Sequence, residues 1–303
     1  MRKFNVDFMG NRRIMFGISI VLIVIAVGAL AIRGLKFGVE FQGGTVINIV
    51  KAQDVTIEQM RAAFKTTGLA NAQVQESTVN NVRGFIVRTD VTSAQEANAD
   101  AVKVATITKL PSGDFQVTTI GPGWGKNVSD RAILALVVSM LAILLYVSLR
   151  FEYKMSVTAI IALVHDILIT LGLYALVGWE VTPNVVAALL AILGYSLYDT
   201  IVVFHRIKEN SKGLVKQSYM SMANESINQV LVRSLNTTLT SLIPVVVLLL
   251  FGGSTLKDYA LALTIGLASG AYSSIGVAAP IFALWKEREP KYAALAKKYA
   301  NAS

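Results

Sequence analysis

The sequence predicts an α-helical membrane protein: six spanning helices, with one small α+β domain inserted between the first two. Three observations predict it. First, 54 % of the 303 residues are hydrophobic and the mean hydropathy is +0.56, more apolar surface than a soluble domain of this length needs. Second, apolar runs of spanning length recur along the chain. Third, one long stretch, Arg33–Arg131, lacks any such run and carries strand and helix patterns instead.

In chain order, Met1–Arg13 is short, polar and basic. Ile14–Ile32 is a run long enough to cross a bilayer at about 1.5 Å per residue. Ala29-Leu30-Ala31 resembles a leader cleavage site, but the run exceeds the usual apolar core of a leader, so it reads as a retained anchor. In the polar stretch, Thr45–Val50 alternates with β-branched residues and reads as a strand. Thr56–Thr67 places Ile57, Met60, Ala63 and Phe64 at helical spacing, with Gly68 as a stop. Ala72–Thr78 and Gly84–Thr89 read as strands joined by a turn at Asn80-Asn81. Ser93–Leu110 is a helix capped by Ser93 with Glu96 three residues on. Pro111–Gly113 breaks it, and Asp114–Ile120 is a last strand. The order βαββαβ implies a ferredoxin-like domain with helices on one face of an antiparallel sheet. Gly121-Pro-Gly123-Trp-Gly125 lacks the lysine of a P-loop and the spacing of a dinucleotide fingerprint, and reads as a turn into span two. Further spans follow at Ala132–Leu149, Met155–Val177, Val185–Phe204, Leu235–Phe251 and Tyr259–Trp285. The chain thus divides into 1–33, N-terminus and first span; 34–130, the α+β domain; 131–285, spans two to six; and 286–303, a basic tail.

The net charge of +9 does not point to nucleic acid, because Lys and Arg collect at the ends of apolar runs, as in a protein oriented in lipid. One side of the membrane receives 16 of them. The opposite short loops, Gly178–Thr182 and Gly252–Asp258, hold only Lys257. Both termini are therefore expected in the cytoplasm and the α+β domain outside. With no cysteine, disulfides, thiolate metal sites and cysteine nucleophiles are excluded. Two histidines, His165 and His205, do not make a zinc site without carboxylates. No cofactor motif is present.

Ionisable groups at membrane depth are costly and mark function. Asp166 falls about 16 Å into span three and Asp199 about 10 Å into span four, counted from the basic side. Arg233 opens span five. The three fall in one slab. Tyr195, Ser196, Asp199 and Thr200 share a face of span four; Arg233, Asn236, Thr237, Thr240 and Ser241 share one of span five; Asp166, Thr170 and Tyr174 share one of span three. The bland alternative is that these are interhelical contacts, with Asp199 and Arg233 a static ion pair. The functional expectation is proton carriage through Asp199, Arg233, Asp166 and His165. Low dielectric favours a neutral carboxyl, a nearby guanidinium favours the ionised form, and a movable Arg233 would switch between them. His165 reads equally as hydrogen-bonded packing and as a relay residue, the latter toward a neighbouring helix, because i and i+1 diverge on a helix. Gly266-x-x-x-Gly270, in a last span rich in small residues, permits close helix approach.

At these residues the chain resembles the SecF-type members of the SecD/SecF family, protein-export membrane proteins related to the proton-driven RND exporters. Gly38-Val-Glu-Phe-Gln-Gly-Gly-Thr45 resembles the family's GxDFxGGT signature. Val164-His165-Asp166 and Gly194-Tyr-Ser-Leu-Tyr-Asp199-Thr-Ile-Val-Val-Phe204 resemble its two intramembrane motifs. Arg206-Ile-Lys-Glu-Asn210 and Arg233-Ser-Leu-Asn-Thr-Thr238 match its cytoplasmic loop and fifth span. Glu40, Gln42, Tyr198 and His205 depart from the family's usual Asp, Thr, Asn and Asp. The resemblance implies an RND-like half core in the bacterial cytoplasmic membrane, a SecD partner, the SecYEG channel, an exported unfolded polypeptide as cargo, no enzymatic activity, and H⁺ as coupling ion.

Two rivals come from other classes. A small-molecule RND exporter subunit would need a larger outer domain than about 100 residues. An intramembrane aspartyl protease would use two facing carboxylates, and Tyr198-Asp199 resembles one of its motifs. Its Gly-x-Gly-Asp motif is absent, and Asp166 precedes rather than follows the Tyr-Asp.

Overall fold

The structure, a computed structural model, describes residues 6–79, 82–214 and 216–299. The expected turn at Asn80-Asn81 lies outside the described residues. In chain order the elements are α1 (Arg12–Arg33), β1 (Lys36–Phe37), α2 (Val39–Gln42), β2 (Gly44–Ile49), α3 (Ile57–Thr66), β3 (Gln73–Val79), β4 (Val82–Thr89), α4 (Ala94–Thr108), β5 (Phe115–Ile120), α5 (Pro122–Arg150), α6 (Tyr153–Val177), β6 (Glu180–Val181), α7 (Pro183–Ser211), α8 (Tyr219–Phe251), α9 (Gly253–Ser273), α10 (Ala279–Glu287) and α11 (Pro290–Tyr299). Among the described residues, six segments are long and apolar enough to cross a membrane. They are α1, Trp124–Arg150, α6, α7, α8 and Leu256–Glu287, the last joining α9 to α10 through a π-helical turn, Ser274–Ala278.

The sheet domain forms because each half-apolar element finds a face to cover. Thr56 caps α3 by a reciprocal bond with Gln59, and Ser93 caps α4. One face of α3 and α4 buries Met60, Phe64, Ala101 and Val104 against Ile47, Ile49, Phe85 and Val87 of the sheet. Burial of each large apolar side chain contributes about 1.5–3 kcal/mol. The four strands run in the order β3-β4-β2-β5, with every neighbour antiparallel, so β4 lies between the two strands that α3 connects.

The signature glycines have a steric reason. Gly43 and Gly44 sit at φ +82° and +132°, and a Cβ on Gly44 would come 2.4 Å from the Thr89 carbonyl oxygen. The Gly121–Gly125 segment is not the turn its composition suggests. Gly121 caps α5, Pro122 takes the first helical position, and the helix runs through Gly125. A Cβ on Gly125 would stand 2.6 Å from the Phe41 carbonyl oxygen, so glycine here admits the backbone of α2.

Two helices also run past their apolar runs. α7 continues to Ser211 and α8 begins at Tyr219, because Ile207, Tyr219, Met222, Ala223 and Ile227 carry an inward apolar stripe into the same core as Leu163, Phe204 and Phe282. Hydropathy alone marks only the part of such a helix that meets lipid. The two-residue strands β1 and β6 pair in parallel, Lys36 with Glu180 and Phe37 with Val181, fastening the sheet domain to the loop between α6 and α7.

Candidate functional site

Two carboxylates are buried on adjacent spans, in different settings. Asp166 of α6 is fully buried. Its Oδ2 accepts hydrogen bonds from Ser196 Oγ of α7 at 2.6 Å and Ser273 Oγ of α9 at 2.8 Å. Its Oδ1 accepts from Ser269 Oγ of α9 at 2.6 Å. His165 Nδ1 lies 3.1 Å from the same oxygen, so with the proton on Nδ1 each carboxylate oxygen holds two donors. His165 thus joins Asp166 directly, although the two residues are adjacent in sequence. Its ring turns back onto Asp166 and lies 6.1 Å from the ring of Tyr272, while buried Nε2 has no hydrogen-bond partner among the described residues. Thr200 Oγ1 extends the cluster, bonding the Ser196 carbonyl at 3.1 Å and Ser274 Oγ at 2.8 Å. Ser274 opens the π turn, a form often found at functional positions.

Asp199 of α7 is also buried, 7 % exposed. Among the described residues it accepts one hydrogen bond, from Thr238 Oγ1 of α8, at 3.3 Å. It borders a recess lined by Tyr195, Ser196, Thr237, Thr238, Ser241 and Gly270, with an accessible volume of about 10 Å³, the scale of a single water position. Ser196 thus touches both settings.

Arg233 is not ion-paired with Asp199. Its Nη2 donates to the Tyr198 hydroxyl at 3.1 Å, so the static pair considered from sequence is not formed. The reason is local: Tyr198 and Arg233 line an open groove with His205, Arg206, Glu209 and Gln229, outside the bundle. Tyr195, Arg233 and Asn236 are exposed as well. Of the expected residues, the fold joins Asp166, His165, Ser196 and Thr200 in one cluster. Tyr195 and Thr237 border the Asp199 recess, and Asn236 does not.

The donors that sequence reasoning missed are Ser269, Ser273, Ser274 and Thr238. A signal existed: Gly266, Ser269, Gly270 and Ser273 stand at i, i+3, i+4 and i+7, one stripe of α9. Its glycines set the distance. A Cβ on Gly266 would meet Ile192 Cδ1 at 2.1 Å and one on Gly270 would meet Ser196 Cβ at 2.9 Å, so the serines reach Asp166 because α9 lies against α7.

The fold and this buried polar cluster define a multi-pass membrane protein that carries ionisable groups inside its helix bundle, with a small sheet domain on one side. The family described as protein export membrane protein SecD/SecF, C-terminal, matches residues 102–288, and the SecD/SecF GG motif matches residues 28–49. The chain belongs to the SecD/SecF family. It is 41 % identical over 300 residues to the protein translocase subunit SecF of Streptomyces coelicolor, covering 96 % of this chain and 80 % of that protein. It is 35 % identical over 302 residues to the protein translocase subunit SecF of Endomicrobium trichonymphae, covering 98 % and 96 %. The crystal structure of SecDF, a translocon-associated membrane protein from Thermus thermophilus, superposes with a TM-score of 0.83 at 34 % identity. That alignment takes in 94 % of this chain and 39 % of the SecDF chain, so this chain spans well under half of its length.

Proposed function

We propose that this chain is a SecF-type subunit of the Sec protein-export machinery, non-enzymatic, which pairs with a SecD-type half and couples a proton gradient to the movement of an exported polypeptide leaving the SecYEG channel. In this reading it sits in the bacterial cytoplasmic membrane with both termini cytoplasmic and the sheet domain outside. The family match supports the export role, and the fused SecDF relative supports the SecD partner. Exposed Tyr195, Tyr198, Arg233 and Asn236 support a partner too. They present polar groups on the outside of two apolar helices, where lipid is a poor neighbour and another protein surface a good one.

The observation that carries the coupling is the under-partnered state of Asp199: buried, with a single hydrogen bond and no cation bonded to it among the described residues, while the Arg233 side chain is held nearby by Tyr198. Exchanging Tyr198 for Asp199 would bring a positive charge to the carboxylate and favour its ionised form; withdrawing it favours proton uptake. Each charge crossing 100 mV supplies about 2.3 kcal/mol to drive that exchange. The aspartyl-protease alternative is disfavoured, because Asp166 and Asp199 share no hydrogen-bond donor, whereas a catalytic pair shares a proton.

Export of a preprotein into inverted membrane vesicles containing the SecD partner tests this. Asp199→Asn and Arg233→Met are each expected to abolish the stimulation of export by a proton gradient while the subunit still inserts. Full stimulation in Asp199→Asn overturns the coupling.

A further inference from the structure

We propose that the joint between the sheet domain and the membrane helices is a proton-binding latch, in which three carboxylates, Glu40, Glu180 and Asp258, gather around the one guanidinium of Arg88. None of these belongs to the Asp199 setting, and the latch goes beyond the export reading. Arg88 projects from β4 of the sheet, Glu40 from α2, Glu180 from β6 in the loop between α6 and α7, and Asp258 from the start of α9. Glu40, Arg88 and Asp258 line one cleft of about 510 Å³ between the open face of the sheet and the helix ends at Thr182, Pro183 and Asn184.

Arg88 Nε lies 2.9 Å from Glu180 Oε2, with the two side chains only 15 % and 9 % exposed. The pair is close but poorly aligned: both atoms are buried without a hydrogen bond, as is Glu40 Oε2. Asp258 faces Thr182, whose hydroxyl lies 3.5 Å from its Oδ2. The other charges nearby are Lys36 and Lys257, both exposed and screened by water. One semi-buried cation therefore faces three acids, and the joint gains from taking up a proton. Arg88 keeps a second anchor when it does, since Nη1 donates to Gln75 Oε1 at 2.9 Å.

Burial holds the Glu180 carboxyl above the ordinary glutamate range, Arg88 pulls it back, and Glu40 and Asp258 push it up again. The sign follows. A carboxyl whose pKa is raised in the docked state binds its proton more tightly there than when the joint opens to water. Docking is therefore fully favoured below the ordinary glutamate pKa of about 4.3 and weakens as pH rises through the raised value. On the proposed orientation, the acidic side of the gradient is the side that closes the latch.

The chain has no native cysteine, so two introduced thiols label cleanly. Spin labels at Gln95→Cys on α4 and Val177→Cys at the end of α6, both exposed positions, report the domain-to-bundle distance in nanodiscs. The expected result is one narrow distance at pH 5 and a second, longer one that grows toward pH 8. Glu180→Gln, which stays neutral, is expected to keep the single distance throughout. Arg88→Met is expected to enlarge the long-distance population at pH 8 at least about threefold. Identical distributions at pH 5 and pH 8 in the otherwise wild-type protein overturn the latch, and so does a pH response that survives in Glu180→Gln. Asp199→Asn leaves the response intact, so a failure of the latch and a failure of the export reading are told apart.

Discussion

Asp166 and Asp199 are the same side chain, on adjacent helices, both sheltered from solvent, and the protein treats them in opposite ways. Asp166 takes hydrogen bonds from two serines of α9, one of α7 and its neighbour His165. Asp199 takes one long bond from Thr238. A carboxylate with every acceptor position filled is held in place, because losing it strands all its donors. A carboxylate with one weak donor has little to lose on changing its protonation state. Depth in the membrane does not separate an anchoring acid from a switching one; the number of partners does.

The same substitution at both positions is the strongest way to break this contrast. Asp166→Asn turns one acceptor oxygen into a donor facing two others, and is expected to cost about 3 kcal/mol or more. Asp199→Asn is expected to stay within about 1 kcal/mol. Thermal unfolding in detergent measures both. Equal losses would mean that Asp199 is as firmly built in as Asp166 and that its sparse bonding is no guide to its role.

Gly270 sharpens the contrast from the packing side. A Cβ there would stand 2.9 Å from Ser196 Cβ and 3.1 Å from Ser196 Oγ, so Gly270→Ala must push the serine off its 2.6 Å bond with Asp166. The expected cost is about 1–3 kcal/mol. In the Asp166→Asn background it should shrink, since the charge-assisted bond it disturbs is already gone. Strict additivity in the double variant would make Gly270 a packing residue with no part in holding the carboxylate.

Much of this was legible in the sequence, and the gaps have physical reasons. The spans were readable because lipid imposes a length and a polarity, and β2 to β5 because their alternation has a fixed period. Asp166, Asp199 and Arg233 stood out because charge in hydrocarbon is expensive. Ser269 and Ser273 did not, because serines among glycines read equally as close packing; which role they take depends on what the neighbouring helix presents. The bond from Arg233 to Tyr198 was hidden because residues one apart, Tyr198 and Asp199, diverge on the helix, and hydropathy does not say which of them an arginine on the neighbouring helix will meet. β1 and β6, at two residues each, are too short to show any period, so the latch residues Glu180 and Arg88 had no visible connection.

The smallest test compares two threonines. Thr200 Oγ1 holds Ser274 and the Ser196 carbonyl on the caged side, whereas Thr238 Oγ1 holds only Asp199. Valine keeps the shape of each and removes the hydroxyl. Thr200→Val removes Ser274's nearest partner inside the bundle, leaving Ser274 Oγ on the Gly270 carbonyl at 2.9 Å, and is expected to cost about 1–2 kcal/mol. Thr238→Val gives up a single 3.3 Å contact beside a recess and is expected to cost about 0.5 kcal/mol or less by thermal unfolding. Should Thr238→Val prove the costlier, that one bond holds Asp199 more tightly than its length suggests, and the two carboxylates would differ in how many groups grip them but not in how hard they are gripped.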